Sequence, residues 1–150
     1  KMNITHKVAI ILFIFQINNL YSQEFIISKT DHVAYEVRDL NKVGDFFLNI
    51  FKFKEIEIDN PSLRWFDVGD GFEIHLGENK EANHKKIKAN HLAVTVNSLE
   101  IFMEYLKSND IYFESWYGNE LQYNIRPHDN ALQIYLTDPE GNWIEVNQRQ

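Results

Sequence analysis

Two histidines, His32 and His91, stand 59 residues apart inside copies of one short pattern, Asp31-His32-Val33-Ala34-Tyr35-Glu36-Val37-Arg38-Asp39-Leu40 and Asn90-His91-Leu92-Ala93-Val94-Thr95-Val96-Asn97-Ser98-Leu99. A repeat at fixed offset marks one module used twice. Two such modules packed about a pseudo-twofold axis each carry one imidazole toward the axis, and imidazole is a common ligand for divalent metals. Later in each copy, Gly71-Phe72-Glu73-Ile74-His75-Leu76 aligns on Gly141-Asn142-Trp143-Ile144-Glu145-Val146, which sets His75 against Glu145. Each module then offers one histidine on its first strand and one further ligand on its last, so the candidate metal set is His32, His75, His91 and Glu145. A carboxylate framed by Ile144 and Val146 is costly unless it is paired or metal-bound. Glu73 shares the face of His75 and stands either as a replacement ligand or beside it as a base. Arg64 and Arg126 are the candidate substrate-binding residues, because a guanidinium fork matches a carboxylate, though ion pairs with the many acids would occupy them equally well. His6, His84 and His128 fall in a leader, a linker and a loop and are not candidates.

The elements that must position these groups follow from periodicity. Thr30 to Val37 alternates as a strand, and Asp39 caps a helix whose stripe is Leu40, Val43, Phe46, Phe47, Ile50 and Phe51, ending near Lys52. Phe53 to Ile58 reads as the next strand, and Leu63 to Val68 with Phe72 to Leu76 as a hairpin about Gly69-Asp70-Gly71. Glu78 to Ala89 is polar and charged and marks a linker. The pattern then restarts: strand Asn90 to Val96, a helix capped by Ser98 with stripe Leu99, Phe102, Met103 and Leu106, and a strand Ile111 to Glu114. Trp116 to Pro127 reads as an irregular loop or lid, followed by a hairpin of Ala131 to Thr137 and Trp143 to Asn147 about Asp138-Pro139-Glu140-Gly141. Trp65, Phe66, Trp116, Tyr117 and Tyr123 fit either an apolar substrate wall or the core.

With 150 residues, 44% hydrophobic and 14% aromatic, the chain can bury a substantial core. The absence of cysteine removes disulfides, thiolate nucleophiles and cysteine-held zinc together. The net charge of −7, without a basic aromatic patch, excludes nucleic acid as an expected partner. Lys1, His6 and Lys7 precede an apolar run from Val8 to Ile17 and then small Ser22, the anatomy of a signal peptide over residues 1–23. The run is short for a bilayer span, so no stable membrane anchor is expected. The expectation is export, periplasmic or extracellular, of one domain over 24–150 with modules at about 28–77 and 90–148.

On these motifs, the closing Asp138-Pro139-Glu140-Gly141-Asn142-Trp143-Ile144-Glu145-Val146 above all, the chain resembles the vicinal oxygen chelate superfamily, which includes glyoxalase I, bleomycin- and fosfomycin-resistance proteins and extradiol dioxygenases. The resemblance implies an α+β fold of two βαβββ modules pairing into an open, cup-shaped, barrel-like mixed sheet about one divalent metal, with a small-molecule substrate chelating through neighbouring oxygens. The metal expected from the donor types is Zn, Ni, Mn or Fe. Glyoxalase I usually carries a carboxylate where His75 stands, so the resemblance leaves Glu145, or Glu73, as the candidate catalytic base for proton transfer; that enzyme also depends on cytosolic glutathione, whereas a leader implies export. Three activities are therefore expected in order: a glyoxalase-like metal-dependent lyase or isomerase, a non-haem iron dioxygenase held by His32, His91 and Glu145, and a non-catalytic binding or resistance protein. A homodimer is the mild expectation for paired modules.

Overall fold

The computed structural model describes residues 29 to 149, of which Asp31 onward belongs to one compact unit, Asp31–Gln150, and the preceding residues to another, Lys1–Thr30. The expected leader over 1–23 lies outside the described residues. In the first module β1 (His32–Val37) leads into α1 (Leu40–Phe46), followed by β2 (Lys54–Ile56), β3 (Leu63–Gly69) and β4 (Phe72–Glu78). The second has β5 (His91–Thr95), α2 (Leu99–Ser108), β6 (Asn124–Ile125), β7 (Leu132–Thr137) and β8 (Trp143–Gln148). Two four-stranded mixed sheets result, ordered β1-β4-β3-β2 and β5-β8-β7-β6, with β1 parallel to β4 and β5 parallel to β8. The repeated topology is the structural form of the repeated sequence. The sheets form no closed barrel, and β1 and β5 each stand at the edge of their own sheet.

Local chemistry explains the elements. Asp39 and Ser98 have extended backbones and accept from Lys42 N and Ile101 N, capping the two helices as their residue types require. The apolar stripe after Phe46 continues through Phe47–Phe51 as a π-turn, closed by Lys52 in the left-handed conformation at φ 58°. That wide turn stacks Phe51 on Phe53, with ring centroids 5.2 Å apart, and packs Phe47 against Phe66 at 5.9 Å. The expected strand Ile111 to Glu114 is reduced to bridges from Glu114 to Glu120 and Tyr135, because the chain turns through Gly118 and Leu121 before a ladder can extend. The segment that follows is irregular as expected, apart from the two residues of β6.

One apolar cluster joins both modules. Val37, Val43, Phe47, Phe66, Ile74 and Leu76 from the first and Leu99, Leu106, Phe113, Ile134, Ile144 and Val146 from the second are all buried. Each such side chain contributes about 1.5–3 kcal/mol relative to exposure. Strand alternation then fixes the opposite faces: Val33, Tyr35, Val37, Ile74 and Leu76 face the core, so His32, Glu73, His75 and Trp65 share the other face of the first sheet. In the second sheet Leu92, Ile144, Val146, Ile134 and Leu136 face the core, and His91, Trp143, Glu145, Asn147 and Tyr135 take the other side. Among the described residues, no helix is long and apolar enough to cross a membrane.

Candidate functional site

The first sheet builds a ladder of three rings. His75 pairs with Trp65 across β3–β4, and their rings stack at 3.8 Å with an interplanar angle of 8°. The other face of His75 stacks on His32 at 4.1 Å and 14°. His75 Nε2 contacts Glu73 Oε2 at 2.7 Å, and His32 Nδ1 contacts Asp31 Oδ2 at 2.8 Å. His32 remains the more open ring, with 42% of its side chain exposed against 16% for His75.

This stacking bears on coordination. A metal lies in the plane of an imidazole, about 2.0–2.1 Å from the ligating nitrogen. Two nearly parallel rings stacked face to face have planes that meet only far outside that reach. His32 and His75, as placed, therefore cannot ligate the same ion. The arrangement suits His75 to orienting His32, with Glu73 fixing His75 in turn.

The second sheet holds a different constellation. Glu145 is only 3% exposed. Its Oε2 accepts from Tyr135 OH at 2.6 Å, and its Oε1 accepts from Arg126 Nη1 at 3.0 Å and Asn147 Nδ2 at 2.8 Å. Tyr135 and Glu145 are cross-strand partners on β7 and β8, and Asn147 is held in place by Thr95 Oγ1 at 2.9 Å. Burial first, then the hydrogen bond to Glu145 and its charge, hold the Tyr135 phenol well above its ordinary range, so it acts as a donor. His91 lies beside them: its Nδ1 donates to the Lys88 carbonyl at 2.6 Å, and its Nε2 stands 3.3 Å from Glu145 Oε2.

With Nδ1 carrying the hydrogen, a neutral His91 turns the bare lone pair of Nε2 toward a carboxylate oxygen. Two acceptors that converge in this way are complementary to a cation between them, a proton or a metal ion. That contact is the observation by which the donor set fits a divalent metal. It fits in half: among the described residues, no group of three or more His, Asp or Glu side chains is arranged to hold a metal ion within one chain.

The two arginines part company. Arg126 reaches Glu145 and is anchored by Asp129, with Nε to Oδ1 at 2.8 Å and Nη2 to Oδ2 at 2.7 Å. The Asp129 hydrogen bond leads the causes that push this guanidinium further up, and the same pair drives the Asp129 carboxyl well below the usual range. Arg64 lies on the helix side of the first sheet, on the opposite face from Trp65 and His75. There it takes both oxygens of Glu55 at 2.6 and 2.8 Å, Asp45 at 2.9 Å and the Asn41 carbonyl at 3.3 Å. It passes so close under Gly44 that a Cβ there would overlap the guanidinium. Parity explains the placement of Arg64, expected from sequence as a substrate-binding residue: residue 64 alternates with residue 65 onto the side that packs against α1, where Glu55, Asp45 and the Asn41 carbonyl engage it.

Tyr135, Asn147 and Lys88 escaped sequence reasoning. Tyr135 was accessible in principle, because the hairpin about Asp138 to Gly141 sets it opposite Glu145. Lys88 left no signal, since it stands in a charged linker and looks like a solvated cation. Trp116 sits edge-on to Tyr135 at 5.4 Å, while Tyr117 and Tyr123 are exposed.

Comparison with known proteins matches this architecture. A metallothiol transferase, FosB, of Staphylococcus saprophyticus is 28% identical over 126 residues, 81% of this chain and 78% of that protein. The fosfomycin resistance protein FosX of Listeria monocytogenes superposes with a TM-score of 0.65 at 23% identity, covering 83% of this chain and 96% of that one. The oxidase ChaP-H2 gives a TM-score of 0.69 at 15% identity, again over 83% and 96%. The family model of the Glyoxalase/Bleomycin resistance protein/Dioxygenase superfamily spans residues 29–146, and the chain belongs to that superfamily.

Proposed function

We propose that the protein is a divalent-metal-dependent enzyme that acts on a small molecule bearing adjacent oxygens, through a centre of His32, His91 and Glu145. The carrying observation is the convergence of His91 Nε2 and Glu145 Oε2 at 3.3 Å, with the His91 tautomer set by the Lys88 carbonyl. In this reading His75, stacked flat on His32, is not a ligand, and two imidazoles and one carboxylate remain, a combination with open positions for substrate. When bound, a divalent ion there supplies a Lewis acid for substrate oxygens. Arg126, beside Glu145 with 28% of its side chain exposed, receives the anionic part of the substrate, and the Tyr135 hydroxyl keeps the carboxylate in place.

The third ligand comes from a second copy of the chain. His32 is on edge strand β1 and His91 on edge strand β5, so two copies laid edge to edge bring one imidazole against the other's His91 and Glu145. Such a homodimer contains two equivalent centres.

Two reactions suit the centre. Proton transfer within a substrate, the lyase or isomerase chemistry of glyoxalases, uses the Glu73 and His75 pair on the same face as His32 as the proton carrier. Thiol transfer is the activity named for the staphylococcal relative and requires only an electrophile held by Arg126 and an external thiol. Metal-loaded protein is assayed with the hemithioacetal of an α-ketoaldehyde and, separately, with fosfomycin plus a thiol. Turnover of the first assigns the lyase, turnover of the second the transferase. Failure of Zn, Mn, Ni and Fe(II) all to bind in calorimetry refutes the metal centre itself. The dioxygenase reading is favoured only by the same two-histidine, one-carboxylate set, and oxygen uptake with Fe(II) and a catechol tests it.

A further inference from the structure

Lys88, like Lys86, is a linker cation that the fold draws inward. Only 17% of its side chain is exposed, and its ammonium bonds Glu114, the Ser115 carbonyl at 3.0 Å and the Trp116 carbonyl at 3.2 Å. It also lies over two rings on the Glu145 face of the second sheet, 4.8 Å from the centroid of Trp143 and 5.5 Å from that of Tyr135. Trp143 is the ladder partner of His91, and Tyr135 holds Glu145. Three donated hydrogen bonds, all to the segment Glu114 to Trp116, saturate the ammonium, and the rings from β7 and β8 flank it.

The backbone carbonyl of the same residue accepts the His91 Nδ1 proton. That bond decides which His91 nitrogen carries hydrogen and leaves the Nε2 lone pair facing Glu145. A carbonyl in a linker is ordinarily freer to rotate than one in a strand or helix. Here the side chain of its own residue is held at the far end, which restrains the peptide, because turning it displaces the stem that those contacts anchor.

We infer that Lys88 is a positioning residue for His91: its buried ammonium locks the linker onto the segment Glu114 to Trp116, and its carbonyl thereby fixes the tautomer and ring orientation that the metal centre requires. The inference rests on the proposed centre for its purpose, but not for its test. Lys88 touches neither substrate nor metal, and acts only through the imidazole.

The test compares wild type with Lys88→Met, which keeps the aliphatic stem and removes the charge, Lys88→Arg, which restores it, and Lys85→Met as a neighbouring linker control. Long-range nitrogen–proton NMR of the metal-free full chain, above the ordinary imidazole titration range, reads the His91 tautomer directly. Calorimetry with zinc alone reads affinity. Expected are a single Nδ1–H tautomer in wild type, Lys85→Met and Lys88→Arg, and a mixture of tautomers in Lys88→Met with zinc affinity 10- to 100-fold weaker. An unchanged tautomer in Lys88→Met overturns the inference, even if the variant is less stable, because a merely structural lysine would lower the melting point and leave the imidazole alone. Should wild type bind no zinc, the metal centre fails, while the tautomer comparison still decides the role of Lys88. Should Lys88→Met not fold, Glu114→Gln frees one end of the ammonium, and a smaller shift toward mixed tautomers is expected; its absence overturns the inference equally.

Discussion

Replacing Glu145 by Gln separates the metal reading from a structural one, because the two predict opposite signs for stability. The carboxylate is buried and accepts three hydrogen bonds, from Tyr135, Arg126 and Asn147. Turning charge-assisted bonds into neutral ones costs about 1 kcal/mol apiece, so roughly 3 kcal/mol in all. Against this, an ionised carboxylate in such a place bears a desolvation penalty of several kcal/mol that the amide escapes. The amide also converts an unfavourable contact into a bond: its oxygen continues to accept from Arg126 and Asn147, while its nitrogen donates to the lone pair of His91 Nε2, gaining about 1 kcal/mol. The Tyr135 hydroxyl oxygen accepts the second amide hydrogen. The expected result for metal-free Glu145→Gln is therefore a change between about 0 and 1 kcal/mol of added stability by urea unfolding above the imidazole range, together with at least a hundredfold loss of zinc affinity by calorimetry. A destabilisation of about 3 kcal/mol or more, the usual outcome of breaking a buried ion pair that exists for stability, would refute the reasoning.

Other perturbations address the remaining contacts. Mixing His32→Ala with Glu145→Gln restores about a quarter of the zinc sites if each centre is shared between two copies, since half the dimers are mixed and each of those has one intact centre; no restoration points to a centre within one chain. His75→Ala weakens zinc binding about tenfold, against a hundredfold or more for His91→Ala, and equal losses would return His75 to the ligand set. Gly44→Ala forces the Arg64 guanidinium off Glu55 and Asp45 and costs about 1–3 kcal/mol in urea unfolding, while an unchanged midpoint would show that Arg64 moves freely. Burial pushes the Glu114 carboxyl up, but bonds from Lys88 and Tyr112 outweigh it and leave it below its ordinary value of 4.5, so its contribution is present above that pH and lost as pH falls through the lower folded value. Glu114→Gln consequently flattens the decline of melting temperature below that pH, and an identical profile counts against the pair.

The sequence determined the duplicated modules, both helix caps, the two hairpins and the identity of the residues on each strand face, because each is written in local periodicity or in one residue type at one turn. It also marked His32, His75, His91 and Glu145 as candidate ligands, since symmetry between the halves needs no coordinates. Three matters belonged to tertiary structure alone. Whether His75 joins His32 as a ligand depends on ring planes, and the lateral neighbour Trp65 stacks it flat. Whether Arg64 meets substrate or helix depends on which sheet face packs against α1, which alternation limits to two choices but does not select. The role of Lys88 depends on a linker folding back over Tyr135 and Trp143, a contact between segments more than twenty residues apart that leaves no trace in hydrophobic pattern. Local order is encoded by neighbours in the chain, whereas the orientation of a ring or an ammonium is set by whatever the fold brings beside it.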